Sequence, residues 1–126
     1  MRTILLVEDD PLQASLRVSA LAKRFPAVKR VADAAEALCL IEQRVFSDNL
    51  GLIISGHLQP GLSGPAFVAE VHSRMPALPI LVLGDAAESV RDYAGEWVRF
   101  LSKPIATEQI IAAAGQLLAQ NGHKVA

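Results

Sequence analysis

Five short apolar runs, separated by longer segments with helical patterning, constrain the fold of this chain more than any other feature. The runs lie at positions 4–7, 28–31, 52–55, 80–83 and 98–101. Strands that alternate with helices are typical of βαβ units and a parallel sheet. The first, third and fourth runs read as strands covered on both faces, whereas the second and fifth carry charged residues. We therefore expect an α/β, flavodoxin-like, doubly wound five-stranded sheet of order 2-1-3-4-5, with helices on both faces.

Capping residues and apolar spacing predict the helices between these strands. Asp10-Pro11 opens a helix over 12–24, and Asp33 caps a second helix that ends near Glu42. A third helix is expected over 63–73 and a short fourth over 86–93. The fifth begins with Thr107 as its cap and ends at Asn121-Gly122. Its apolar face comprises Ile110, Ile111, Ala114, Leu117 and Leu118.

Length and composition limit the classes of protein that fit. The 126 residues suffice for one domain, 1–126, with a core that needs no disulfide or structural metal. The net charge is -1 and no basic block stands out, which argues against binding to nucleic acid. The first apolar run is too short for a signal peptide or a membrane span, so we expect no membrane contact and a cytoplasmic location. Cys39, within an apolar stretch, is expected to be a small buried side chain.

The residues that follow the strands are expected to form one pocket. Ligands of such sheets bind outside the carboxyl ends of the strands, where the strand order reverses. The residues at these ends are Glu8, Asp9, Gly56, Gly84 and Lys103. They are far apart in the sequence, and the fold brings them to the same edge of the sheet.

Three motifs resemble those of response-regulator receiver domains. They are Glu8-Asp9-Asp10 after the first strand, the loop from Leu52 to Gly64 with Gly56 four residues before Pro60, and Ser102-Lys103-Pro104 after the fifth strand. The resemblance implies magnesium ligation at Glu8 and Asp9, and a phosphoacceptor aspartate at position 56. It also implies a hydroxyl residue at position 84, a switch aromatic at Phe100, a pocket lysine at Lys103 and a cis bond between Lys103 and Pro104.

The chain departs from that pattern where the chemistry takes place. Phosphoryl transfer to a carboxylate needs a nucleophile, and Gly56 has no side chain; Gly84 likewise lacks the hydroxyl. We therefore interpret the chain as a pseudo-receiver: a phosphorylation-independent binding module of a two-component pathway, not an enzyme. It needs no cofactor and binds magnesium weakly at most, because only two of three carboxylates remain. Lys103 is expected to offset the charges of Glu8 and Asp9.

The sequence also bears on the partners of the chain and on alternative functions. The resemblance implies that the fourth helix, fifth strand and fifth helix contact a signalling protein or a second copy of the chain. One alternative is a conventional receiver inactivated by substitution at Gly56, which the absence of a hydroxyl at Gly84 disfavours. Another is a small-ligand or nucleotide binder, although no glycine-rich phosphate loop follows the first strand. His57 is expected to be an exposed polar residue, and Trp97 either a core lid or an interface anchor.

Overall fold

A computed structural model describes residues 2–56, 64–84 and 98–125 of the chain. The strands are β1 (Thr3–Val7), β2 (Val28–Val31), β3 (Leu50–Ser55), β4 (Ile80–Gly84) and β5 (Val98–Ser102). The helices are α1 (Pro11–Ala22), α2 (Ala34–Glu42), α3 (Arg44–Asn49), α4 (Gly64–Arg74) and α5 (Thr107–Val125). The strands pair in parallel in the order β2-β1-β3-β4-β5, which confirms the predicted topology.

Alternate residues of the central strands pack into two separate cores. Ile4 and Leu6 of β1 face α1 and α5, together with Leu21 and Ala114 of those helices. The intervening residues of β1 face α2 and α4 on the other side of the sheet. Strands β3 and β4 are fully buried, while β2 and β5 are partly exposed at the edges, as their charged residues predict. The alternation along β1 directs the next residue on the Ile4 face, Glu8, toward α1.

The predicted caps of the first two helices are confirmed. The Asp10 carboxylate accepts hydrogen bonds from the backbone N–H groups of Leu12 at 3.0 Å and Gln13 at 3.5 Å. The Asp33 carboxylate accepts one from the N–H of Glu36 at 2.8 Å. Because a capping carboxylate satisfies N–H groups that have no partner within the helix, both helices begin where the sequence indicates.

The last helix differs from its prediction at both ends. The backbone oxygen of Ala106, and not that of Thr107, accepts the first helical hydrogen bonds, and the Gln109 side chain accepts from the N–H of Ala106 at 2.8 Å. This reciprocal bonding resembles a capping box and moves the cap by one residue. The helix also passes through Asn121-Gly122 to Val125. A glycine costs a helix only about 1 kcal/mol, so it does not compel a stop.

On the α2 side of the molecule, one prediction was wrong and one helix was missed. Cys39 is exposed, because the buried positions of α2 are Ala34, Ala37 and Ile41 and their helical spacing directs Cys39 away from the sheet. Helix α3 was not predicted, since it has no side-chain cap and only six residues. The predicted helix over 86–93, His57 and Trp97 lie outside the described residues.

A register shift between β1 and β3 explains one glycine. Thr3 pairs with Leu50 and Ile4 with Leu52, so the register of the two strands shifts by one residue at Gly51. A Cβ atom at Gly51 would lie 2.7 Å from the Cβ of Arg2 and 2.9 Å from a methyl carbon of Leu118. Glycine therefore allows the chain start and α5 to approach this strand closely. No helix within the described ranges has the length and apolar character needed to cross a membrane.

Candidate functional site

A cleft of about 510 Å³ lies at the carboxyl edge of the sheet, between the start of α1 and the segment that follows β5. Its lining residues are Glu8, Asp9, Asp10, Gln13, Arg17, Lys103, Pro104 and Ile105. The structure thus brings together four of the predicted site residues from opposite ends of the chain. The cleft lies at the edge of the sheet where the fold predicts a binding site.

Two arginines hold Glu8 at the floor of this cleft. The residue is 4% exposed, and its carboxylate forms an ion pair with the guanidinium of Arg17 on α1. The carboxylate also accepts a hydrogen bond from the backbone N–H of Asp10 at 3.2 Å. The backbone oxygen of Glu8 accepts from Nε and Nη2 of Arg30, on β2, at 3.1 and 2.7 Å. Charge-assisted bonds of this kind are the stronger ones, so Glu8 is firmly positioned.

Gly56 lies directly against the Glu8 carboxylate. Its backbone N–H donates to the oxygen of Val7 at 2.8 Å, which sets the end of β3 beside the end of β1. A Cβ atom at position 56 would lie 2.5 Å from Oε1 and 3.2 Å from Cδ of Glu8. The backbone of Gly56 is not in the left-handed region, so the conformation does not require glycine. The requirement comes from Glu8, whose carboxylate occupies the space of a side chain at this position.

The environment of Glu8 opposes its ionisation. Burial raises the pKa of the Glu8 carboxyl above its ordinary value, and the neighbouring Asp9 adds to the increase. The hydrogen bond from the Asp10 N–H and the charge of Arg17 lower the pKa, but they do not cancel the effect of burial. The carboxyl therefore depends on Arg17 and Asp10 to carry its charge.

Lys103 lines the same cleft as Glu8 and Asp9, and its role in offsetting their charges stays a prediction. Its backbone N–H donates to the oxygen of Gly84 at 2.7 Å, and the bond to Pro104 is cis as predicted. Among the described residues, no ion pair within 4.0 Å joins Lys103 to Glu8 or Asp9. Arg17 pairs with Glu8 because α1 places it two turns after the Asp10 cap, on the side facing Glu8.

The other two predicted positions contribute without a polar side chain. Gly84 ends β4, pairs with Ser102 and is buried, so its contribution to the described site is its backbone oxygen. Phe100 is half-buried and packs against the core on the α2 and α4 side. The structure therefore places Phe100 away from the Glu8 carboxylate, on the opposite face of the sheet.

The magnesium ion that the resemblance implies does not fit these side chains. Magnesium takes oxygen ligands in near-octahedral geometry. Here the Asp10 carboxylate caps the helix start and the Glu8 carboxylate is paired with Arg17, while Asp9 and Asp10 are both exposed. A guanidinium in contact with Glu8 repels a second cation. In the part of the chain that the structure describes, no group of three His, Cys, Asp or Glu side chains is placed to hold a metal ion.

The sequence contains a signal for Arg17 that the prediction did not use. Asp10, Gln13 and Arg17 are spaced by three and four residues, which places them on one face of α1. The alternation along β1 places Glu8 on the same side. Arg30 is harder to find, because its partner is a backbone oxygen on another strand.

Comparisons with known proteins agree with this architecture. The family model described as the response regulator receiver domain matches residues 4–115. The receiver domain of an HD domain-containing protein from Pseudomonas fluorescens Pf-5 superposes with a TM-score of 0.84 at 24% identity, over 97% of this chain and 98% of that one. A search of curated proteins found no match.

Two further solved structures are similar. A response regulator receiver domain from Clostridium thermocellum gives a TM-score of 0.83 at 17% identity, over 97% of this chain and 98% of that one. The receiver domain of a histidine kinase from Syntrophus aciditrophicus gives 0.80 at 23%, over 95% and 92%. At these identities the structures establish the fold, and the family match establishes membership. The chain belongs to the response regulator receiver domain family and is a receiver domain of the kind used in two-component signalling.

Proposed function

We propose that this receiver domain signals without accepting a phosphoryl group at position 56, and that it acts by binding another protein. One observation carries the proposal: the Glu8 carboxylate occupies the space of a side chain at Gly56. A glycine supplies no oxygen nucleophile. Among the described residues, the carboxylate directly beside position 56 is that of Glu8, which is paired with Arg17.

The hydroxyl residue that would detect a bound phosphoryl group is missing as well. Gly84, where the family resemblance implies a hydroxyl, contributes a backbone oxygen that is bonded to the N–H of Lys103. Phe100 is packed against the core on the far side of the sheet. A site without the acceptor carboxylate and the hydroxyl suits a binding module better than a phosphoryl acceptor.

We assign partner binding to the face that contains the predicted helix over 86–93, β5 and α5. Arg99 of β5 is exposed and its guanidinium donates to the side-chain oxygen of Gln116, also exposed, on α5. This bond joins the exposed sides of β5 and α5. Arginine is common in protein interfaces because its planar head makes several hydrogen bonds at once. The partner is a signalling protein or a second copy of the chain.

A binding experiment with and without a phosphoryl donor tests this function. The immobilised domain captures partners from cell extract, and the affinity of each purified partner is then measured with and without acetyl phosphate and magnesium. We expect equal affinities, and we expect Arg99→Glu to weaken binding while Arg44→Glu, an exposed arginine on α3, leaves it unchanged. An affinity that rises roughly tenfold or more with acetyl phosphate contradicts the proposal.

A further inference from the structure

We infer that Arg17 is the positioning residue that closes this site. It holds the Glu8 carboxylate against Gly56, so that neither a side chain at position 56 nor a divalent cation has a place beside Glu8. An aspartate introduced at position 56 alone will therefore not rebuild a metal site. This inference rests on the geometry of three residues and stands whether or not the partner proposal holds.

A side chain at position 56 would clash with Glu8. A Cβ atom at position 56 would lie 2.5 Å from Oε1 of Glu8, closer than real Cβ contacts. The clash falls on the end of a flexible side chain, so it is relieved if Glu8 moves. Glu8 can move only by giving up its ion pair with Arg17 and its hydrogen bond from the Asp10 N–H. Positions 17 and 56 are thereby coupled through one carboxylate.

The charges around Glu8 also oppose the binding of a cation. The side chains of Arg17 and Glu8 are 13% and 5% exposed, so their attraction is little screened by water. The backbone oxygen of Glu8 is also bonded to a guanidinium, that of Arg30. The carboxylate and the backbone oxygen of Glu8 are therefore both bound to arginine side chains. A magnesium ion would have to displace one arginine and approach the other.

Magnesium binding by four proteins tests the inference: wild type, Gly56→Asp, Arg17→Ala/Gly56→Asp and Arg24→Ala/Gly56→Asp. Arg24 is an exposed arginine just beyond the end of α1, so its removal changes the net charge equally and leaves Glu8 untouched. Calorimetric titration with magnesium chloride alone is the readout. We expect Arg17→Ala/Gly56→Asp to bind magnesium at least roughly tenfold more tightly than the other three proteins.

The result that overturns the inference is equally direct. If Gly56→Asp alone, or its combination with Arg24→Ala, binds magnesium as tightly as the Arg17 combination, then Arg17 does not close the site. Circular dichroism establishes that each variant is folded before titration. If the alanine variant does not fold, Arg17→Gln/Gly56→Asp carries the same expectation, because it removes the charge and keeps most of the side-chain stem.

Discussion

Gly56→Ala isolates the contact between Gly56 and Glu8 without adding a new functional group. The added methyl displaces the Glu8 carboxylate, which loses charge-assisted bonds from Arg17 and from the Asp10 N–H. Bonds to charged groups contribute about 1.5–3 kcal/mol each. Replacing glycine restricts the unfolded chain and returns about 0.4–1 kcal/mol. We expect the free energy of unfolding to fall by about 2–5 kcal/mol, as measured by urea denaturation.

The same substitution in two Glu8 variants tests whether the Glu8 carboxylate causes this loss of stability. In Glu8→Ala the obstructing carboxylate is absent, so Gly56→Ala should be neutral or stabilising there, whereas Glu8→Gln keeps the obstruction and a smaller penalty, because its bonds are not charge-assisted. Gly115→Ala is the matched control, because no atom lies within 4 Å of a Cβ at this helical position, and it should stabilise by about 1 kcal/mol in every background. If Gly56→Ala has the same effect with and without the Glu8 carboxylate, the steric reasoning is wrong.

Three other perturbations test neighbouring parts of the account. Arg17→Ala should lower the free energy of unfolding more than Lys103→Ala, whose effect is expected to stay below about 1 kcal/mol; equal losses in thermal unfolding would contradict this. Because burial raises the folded-state pKa of Glu8 above its ordinary 4.5, the folded state binds more protons above that pH. The free energy of unfolding of the wild type, relative to that of Glu8→Gln, should therefore fall as the pH rises from 4.5 through the folded-state pKa. A rise over this pH range would contradict the raised pKa. Gly51→Ala should cost roughly 1–3 kcal/mol through its contact with Arg2, and an unchanged melting temperature would show that Arg2 moves freely.

The order of the strands could be predicted because the composition of each strand reflects how far it is buried. Ile4, Leu5 and Leu6 are apolar without interruption, as a strand with helices on both faces requires, while Lys29 and Arg99 mark the edges. Caps were predictable for the same local reason: Asp10 and Asp33 bond to N–H groups two or three residues away. A pattern is reliable where its physical cause is nearby in the sequence.

Details that depend on competing local preferences were predicted less well. The Gln109 side chain accepts a hydrogen bond from the N–H of Ala106 and so fixes the start of α5 one residue before Thr107, the residue type that more often caps a helix. Cys39 was assigned to the core from its apolar neighbours, whereas the helical period of α2 places it in solvent. Both predictions followed the average character of a segment, whereas the direction of one side chain decides the outcome.

The candidate site was also predictable only in part from the sequence. Convergence of Glu8, Asp9 and Lys103 follows from the fold, and the cleft contains all three. The partner of Glu8 did not follow, because any of several cations could reach the carboxylate and only the geometry of α1 selects Arg17. Nor could the sequence show that Gly56 is needed by Glu8, since a glycine without a left-handed backbone leaves no pattern of its own.

Intact-mass measurement of the wild-type domain after incubation with acetyl phosphate and magnesium tests the central claim most directly. A receiver that has its aspartate, treated in parallel, shows that the donor is active. We predict that the mass of this domain stays unchanged, because Gly56 offers no nucleophile and Glu8 is bound to Arg17. A stoichiometric phosphoryl adduct on the wild-type domain would contradict the account, and peptide mapping would then locate the acceptor.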